Sequence, residues 1–113
     1  MKRVLASVFG LLLLTSVEAG VALARTTTPK AVRNVSVVNF AFMPRTLRVV
    51  RGDTVKWMNN APATTHTTTS DSGLWNKRLA PGQAFSRVFN QAGTFPYHCT
   101  IHPQMTAKIV VSG

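Results

Sequence analysis

The residues with the most chemistry to offer stand near the end of this 113-residue chain, in Cys99-Thr100-Ile101-His102-Pro103-Gln104-Met105. A thiol, an imidazole and a thioether follow one another at intervals of three. Cys99 is the one cysteine, so no disulfide can form within the chain. It is a buried small residue, a reactive thiol or a metal ligand. A second imidazole, His66, lies far upstream. A thiolate with two imidazoles and a weak axial thioether is the donor set of a mononuclear type 1 copper site. Cu(I) favours soft, low-coordinate ligation and Cu(II) harder, tetragonal ligation, so a rigidly held compromise lets the ion change oxidation state with little movement. The spacing suits such a site. A strand ending at Cys99 can turn at once, and one tight loop, stiffened by Pro103, can bring His102 and Met105 to the same ion. His66 has to arrive from another strand.

Each of these residues has a plainer reading when taken alone. A lone cysteine usually packs as a small hydrophobe, a methionine fills core space, and a single histidine is more often structural than ligating. Together they would have to explain C-x2-H-x2-M at a strand end in a chain with no disulfide partner, and there metal is the better account. His98 adjoins Cys99, and successive strand residues point to opposite faces. If Cys99 faces the metal, His98 faces away as an ordinary surface or packed histidine.

The elements that must position these groups read as short strands. Val35 and Val37 alternate with Asn34 and Ser36, Leu47 and Val49 flank Arg48, and Val55 and Trp57 share a face after the turn at Arg51-Gly52-Asp53. Phe85 and Phe89 share a face after Pro81-Gly82. Gly93 opens the segment running to Cys99, and Ala107, Ile109 and Val111 fall on one side of the last strand. Residues 60–78 are less regular; a strand around Thr65 to Thr69 followed by a long loop is expected. No segment beyond the N-terminal region shows a sustained 3.6-residue apolar period. The fold class this predicts is all-β, an antiparallel sandwich.

Residues 1–24 have the parts of a secretory signal peptide: a positive head at Lys2-Arg3, an apolar core from Val4 to Leu14 and the small-residue site Ala22-Leu23-Ala24. An uncleaved anchor is the rival reading, but the apolar core is short against the roughly 20 residues of a spanning helix. Cleavage after Ala24 is expected, with residues 25–31 as a flexible leader and residues 32–113 as the domain. Removing Lys2, Arg3 and Glu18 from thirteen basic and three acidic residues leaves eleven and two, a net charge of +9. Export implies an oxidising compartment, in which a free thiol needs protection.

Over most of the mature chain, from about Val37 to Val111, the sequence resembles the small cupredoxins, the plastocyanin and amicyanin group of blue copper proteins. The resemblance lies in Phe42-Met43-Pro44, in Val49 to Asn59, in the central His66, in Leu79-Ala80-Pro81-Gly82 with Phe85 and Phe89, and in Gly93 to Met105. The short C-x2-H-x2-M loop is similar to that of amicyanin. The resemblance implies a Greek-key sandwich of about eight strands with copper at one end, His66, Cys99, His102 and Met105 as ligands, and one-electron transfer; it also offers a second reading of His98, at the position where plastocyanins carry a Tyr on a second electron-exchange surface. Thr67 stands where family members often carry a buttressing Asn, Thr100-Ile101 stands where many have a Pro between Cys and His, and the Pro-His pair common at the first ligand is missing.

Asp53 and Asp71 are the only carboxylate side chains of the mature chain, which argues against paired-carboxylate hydrolysis, and no G-x-S-x-G elbow occurs. An enzyme is the least favoured class. The basic residues are dispersed rather than run together, which argues against a nucleic-acid motif. The charge is either a solvated surface or a means of steering toward a partner. Expected partners are redox proteins with an acidic docking surface, with transient contact to an anionic membrane surface as a further possibility and the chain itself as a monomer. With a periplasmic or extracellular location expected, three functions stand: a soluble electron carrier, a periplasmic copper carrier or storage protein using the same ligands without redox turnover, and a metal-free interaction module.

Overall fold

A computed structural model describes residues 30–113; the expected signal segment, and the expected leader up to its last two residues, lie outside the described residues. Nine strands follow in chain order: β1 (Val32–Val38), β2 (Ala41–Met43), β3 (Thr46–Val50), β4 (Thr54–Asn59), β5 (His66–Ser70), β6 (Asn76–Leu79), β7 (Ala84–Val88), β8 (Gly93–His98) and β9 (Thr106–Ser112). They make two sheets, ordered β3-β9-β8-β5-β6 and β2-β1-β4-β7. Among the described residues there is no helix.

The apolar alternation becomes alternating burial. Val35 and Val37 of β1, Val55 and Trp57 of β4, and Ala107, Ile109 and Val111 of β9 are buried between the sheets, while their sequence neighbours face outward as the pleat requires. Trp57 lies at the middle of an aromatic cluster, with ring centroids 5.5 Å from Trp75, 5.8 Å from Phe85 and 5.6 Å from Tyr97. The Arg87 guanidinium lies over Trp75 and Phe89, at 5.1 and 4.7 Å, so its charge meets ring faces and its stem covers apolar surface.

Three features differ from the sequence expectation. First, the sandwich is not wholly antiparallel: β1 runs parallel to β4 and β3 parallel to β9. The chain leaves the four-stranded sheet after β2, forms β3 in the other sheet and returns as β4, so β4 enters alongside β1 in the same direction. Second, the three-residue β2 pairs with β1, being too short to show a period. Third, the expected long loop after β5 is a tight turn followed by β6. Ser70 N donates to Trp75 O at 2.8 Å, Gly73 sits at φ 79°, and Trp75 is anchored by its Nε1 donating to Thr68 Oγ1 at 3.0 Å. Three of the four residues of β6, Asn76, Lys77 and Arg78, are exposed, the polar and charged composition that keeps an edge strand from recruiting another chain.

Away from the metal-ligand candidates, Asp53 fastens the opposite end. Its buried carboxylate accepts from Val50 N and Ala31 N, both at 3.0 Å, and its carbonyl accepts from Phe89 N at 2.9 Å. These bonds join the start of β1, the β3–β4 turn and the end of β7. Gly52, at φ 94°, supplies the left-handed residue that the turn requires.

The site is positioned by the three central neighbours β5, β8 and β9. The register pairs His98 with Thr69 on one side and with Thr106 on the other. The start of β5, the end of β8 and the start of β9 therefore share one end of the sheet.

Candidate metal centre

That register sets His66, the first residue of β5, beside Cys99, the residue after β8. Cys99 Sγ lies 3.8 Å from His66 Nδ1 and 3.8 Å from His102 Nδ1, and the three donor atoms all lie within 4.8 Å of one another. Thiolate and imidazole bonds of about 2.3 and 2.05 Å, usual for a first-row divalent ion, span 3.8 Å when they open to an angle of about 120°. The sulfur is thus spaced from each nitrogen so that one ion could bridge them. One thiol, two imidazoles and a nearby thioether suit copper, because soft sulfur donors select Cu(I) and imidazole accepts Cu(II).

The loop from Cys99 to Met105 closes on itself. Met105 N donates to His102 O at 2.9 Å, and Cys99 N donates to Met105 O at 3.0 Å. Met105 is buried in the same core cluster as Cys99. The four sequence candidates, His66, Cys99, His102 and Met105, therefore meet at one end of the sandwich. His98 does not join them: its ring is partly exposed on the outer side of the sheet, with Nδ1 against Asp71 Oδ1.

Around these donors stands a set of supporting bonds that the sequence does not announce. Thr67 N donates to Cys99 Sγ at 3.3 Å, a backbone dipole aimed at the sulfur where thiolate charge would reside. The Thr67 hydroxyl accepts from Thr100 N at 2.8 Å and lies 2.9 Å from Thr69 Oγ1. The residue that departs from the family pattern thus ties together the two segments carrying His66 and Cys99. On the far side of the His66 ring, Nε2 meets Asn39 Oδ1 at 2.8 Å. An amide oxygen there accepts the Nε2 proton and leaves Nδ1 as the lone-pair donor. Burial pushes the His66 pKa below its ordinary value, and His102 nearby lowers it further, so the ring stays neutral as a ligand requires. Asn39 is 27 residues from His66; no local signal marks it, and only the fold makes the contact.

The loop leading into His66 is fastened by buried Asn59. Its Nδ2 donates to Thr64 O and to Leu79 O, both at 2.9 Å, and its Oδ1 accepts from Ala61 N at 2.9 Å. Phe40 covers the outside. Its ring centroid lies 4.9 Å from His102 and 6.0 Å from His66, yet 55% of its surface is exposed. Phe40 and Ile101, also exposed, place apolar surface around His102, the half-buried member of the donor set.

Comparison with known proteins fits this geometry. The family model for the cupredoxin-like domain matches residues 4–111. The chain belongs to the cupredoxin-like family. It is 35% identical over 82 residues to amicyanin of Paracoccus denitrificans, a match covering 68% of this chain and 63% of that protein. Among solved structures, a Cu(I) amicyanin variant aligns with a TM-score of 0.62 at 32% identity, covering 72% of this cupredoxin and 82% of the other chain. A purple cupredoxin from Nitrosopumilus maritimus aligns with a TM-score of 0.65 at 25% identity, covering 71% and 99%. This cupredoxin therefore spans just under two thirds of the first of these relatives and nearly all of the last.

Proposed function

We propose that this cupredoxin is an exported one-electron carrier built on a single copper ion, with His66, Cys99, His102 and Met105 as ligands. The observation that carries the reading is the thiol sulfur set 3.8 Å from each of two imidazole Nδ1 atoms in a buried strand-end site. Copper, when bound, supplies the Cu(I)/Cu(II) change. Cys99 binds as thiolate, since coordination deprotonates a thiol. Thr67 N–H steadies the sulfur's charge, and Asn39 and Phe40 fix the two rings, so little has to move when charge changes. Met105 adds a weak thioether that helps set the potential. His102, half-buried beside exposed Phe40 and Ile101, is the edge through which an electron passes. No proton or substrate atom is transferred, which agrees with the two carboxylates being committed elsewhere: Asp53 to the far end and Asp71 to His98.

Residues 1–24 direct export in this reading, with cleavage after Ala24 and a periplasmic or extracellular destination; an N-terminus still at Met1 in the exported protein contradicts it. Colour and exchange test the function. Residues 25–113 loaded with copper absorb strongly in the visible and cycle between oxidised and reduced forms while keeping the metal. A copper carrier or storage protein would instead surrender the ion to a competing acceptor as fast as it cycles, and that result would favour the second reading.

A further inference from the structure

We propose that the outer face of the five-stranded sheet is the docking surface for an acidic protein partner. This rests on the electron-carrier reading and adds to it the place where the partner binds. The register sets the face out row by row. Thr46, Lys108 and Pro96 lie abreast, as do Arg48, Val110 and Thr94, and as do Thr106, His98 and Thr69. Arg78 lies opposite Thr67 on the edge strand. Arg45 reaches the same face, because its Nη2 donates to Thr106 Oγ1 at 3.1 Å and its carbonyl accepts from Lys108 N at 2.9 Å. Four exposed cations, Arg45, Arg48, Arg78 and Lys108, therefore serve one sheet face. The single acid beside it, Asp71, already meets His98. The other sheet's outward positions on its paired strands β1, β4 and β7, such as Asn34, Ser36, Met58, Ser86 and Val88, hold one cation, Lys56.

The face also has a recess with two cations, Arg45 and Lys108, in its lining. A groove of about 400 Å³ runs between Arg45, Thr46, Asp71, Pro96, Thr106 and Lys108. The Arg45 guanidinium is already held by Thr106, so its remaining N–H groups are presented with less rotamer entropy left to lose, and they match a carboxylate in a fork. A membrane surface fits less well, since the neutral positions between these cations are mostly Thr and Pro rather than large apolar groups that insert into lipid. A single-stranded nucleic acid fits less well too, because the outward residues of these rows include no aromatic ring for a base to stack on beyond His98. Carboxylates of a folded acidic partner satisfy both the charge and the groove. Such encounters are small and driven by charge.

The test maps binding of poly-L-glutamate to the copper(I) protein by amide chemical shifts at low ionic strength. Shifts clustered on residues 45–48, 96–98 and 106–110 are the expected result. The R45Q/R48Q/K108Q triple variant should weaken binding by about fivefold or more, while R51Q/K56Q/K77Q, with the same loss of charge placed elsewhere, changes it less than about twofold. Shifts centred on Phe40 and His102, or equal weakening by both triples, would overturn the proposal. So would tighter binding of phosphatidylglycerol vesicles or of a single-stranded oligonucleotide at this face. The visible copper band of each sample is read separately, so a failure of the carrier reading shows as missing colour and a failure of the docking surface as a misplaced map.

Discussion

Replacing Thr67 with valine removes one hydroxyl from the support of the proposed copper ligands and leaves their donor atoms untouched. Valine keeps the shape and the strand preference of threonine, and the backbone N–H still reaches Cys99 Sγ. What is lost is the acceptor for Thr100 N at 2.8 Å and the contacts with Thr69 Oγ1 and Thr100 Oγ1. A part-buried donor left without its partner costs about 1–2 kcal/mol. With a urea dependence of about 1 kcal/mol per molar for a domain of this size, the unfolding midpoint should fall by ~1–2 M. The melting temperature should fall by ~5–15 °C. Because the same hydroxyl joins the segments bearing His66 and Cys99, the visible band and reduction potential of the copper form should move as well. Thr69→Val is the control. It removes a hydroxyl that bonds exposed Asn76 and touches Thr67 Oγ1 but leaves Thr67 accepting from Thr100 N, so it should cost less than about 1 kcal/mol and move the visible band less than Thr67→Val does. Urea melts and voltammetry of both variants make the comparison. A Thr67→Val midpoint within ~0.3 M of the parent, together with an unchanged potential, would refute the claim that this hydroxyl holds the two segments in register.

Other substitutions probe separate parts of the structure. Asn39→Ala should weaken copper binding by about 10–100-fold by freeing the His66 ring, while Asn39→Gln restores part of it; competitive titration with a copper chelator reads both. Tyr97→Phe should be neutral or stabilising by up to ~1 kcal/mol, because the Tyr97 hydroxyl is buried with no hydrogen-bond partner of good geometry and phenylalanine removes that cost; a clear loss of stability in denaturant melts counts against it. The Asp53 carboxyl is held below its ordinary pKa of 3.8, first by the backbone N–H of Val50, then by that of Ala31, with Arg33 and Lys30 adding to them against the opposing effect of burial. A depressed carboxyl pKa means that its stabilisation is complete above the unfolded pKa and is lost as pH falls through the folded one. Asp53→Asn should therefore be less stable at pH 7 but lose less between about pH 5 and pH 2, and parallel acid melts of the two proteins would contradict this.

Much of this was legible in the sequence, for reasons that particular residues make plain. Val35/Val37, Val55/Trp57 and Ala107/Ile109/Val111 encode one-sided burial in their own spacing, so β1, β4 and β9 could be read locally. The C-x2-H-x2-M loop carries its chemistry at two intervals of three residues, and its donor types name a soft metal without help from the fold. The edge strand β6 could not be read this way, because Asn76, Lys77 and Arg78 obey the demands of an exposed edge rather than of a core. The parallel pairings of β1 with β4 and of β3 with β9 depend on where the chain crosses between sheets, which no local period records. Asn39 and Thr67 become partners of His66 and Cys99 only through strand register. The candidate ligands could thus be read from type and spacing, and the residues that hold them in place only from the fold.

Copper titration of residues 25–113, followed by visible spectroscopy and voltammetry in the same cell, tests the central claim most directly. One equivalent of copper should saturate an intense visible band, accompanied by a reversible one-electron wave, and Cys99→Ser should abolish the band while the protein stays folded. A colourless complex at one equivalent, or a band that survives in Cys99→Ser, would contradict the account.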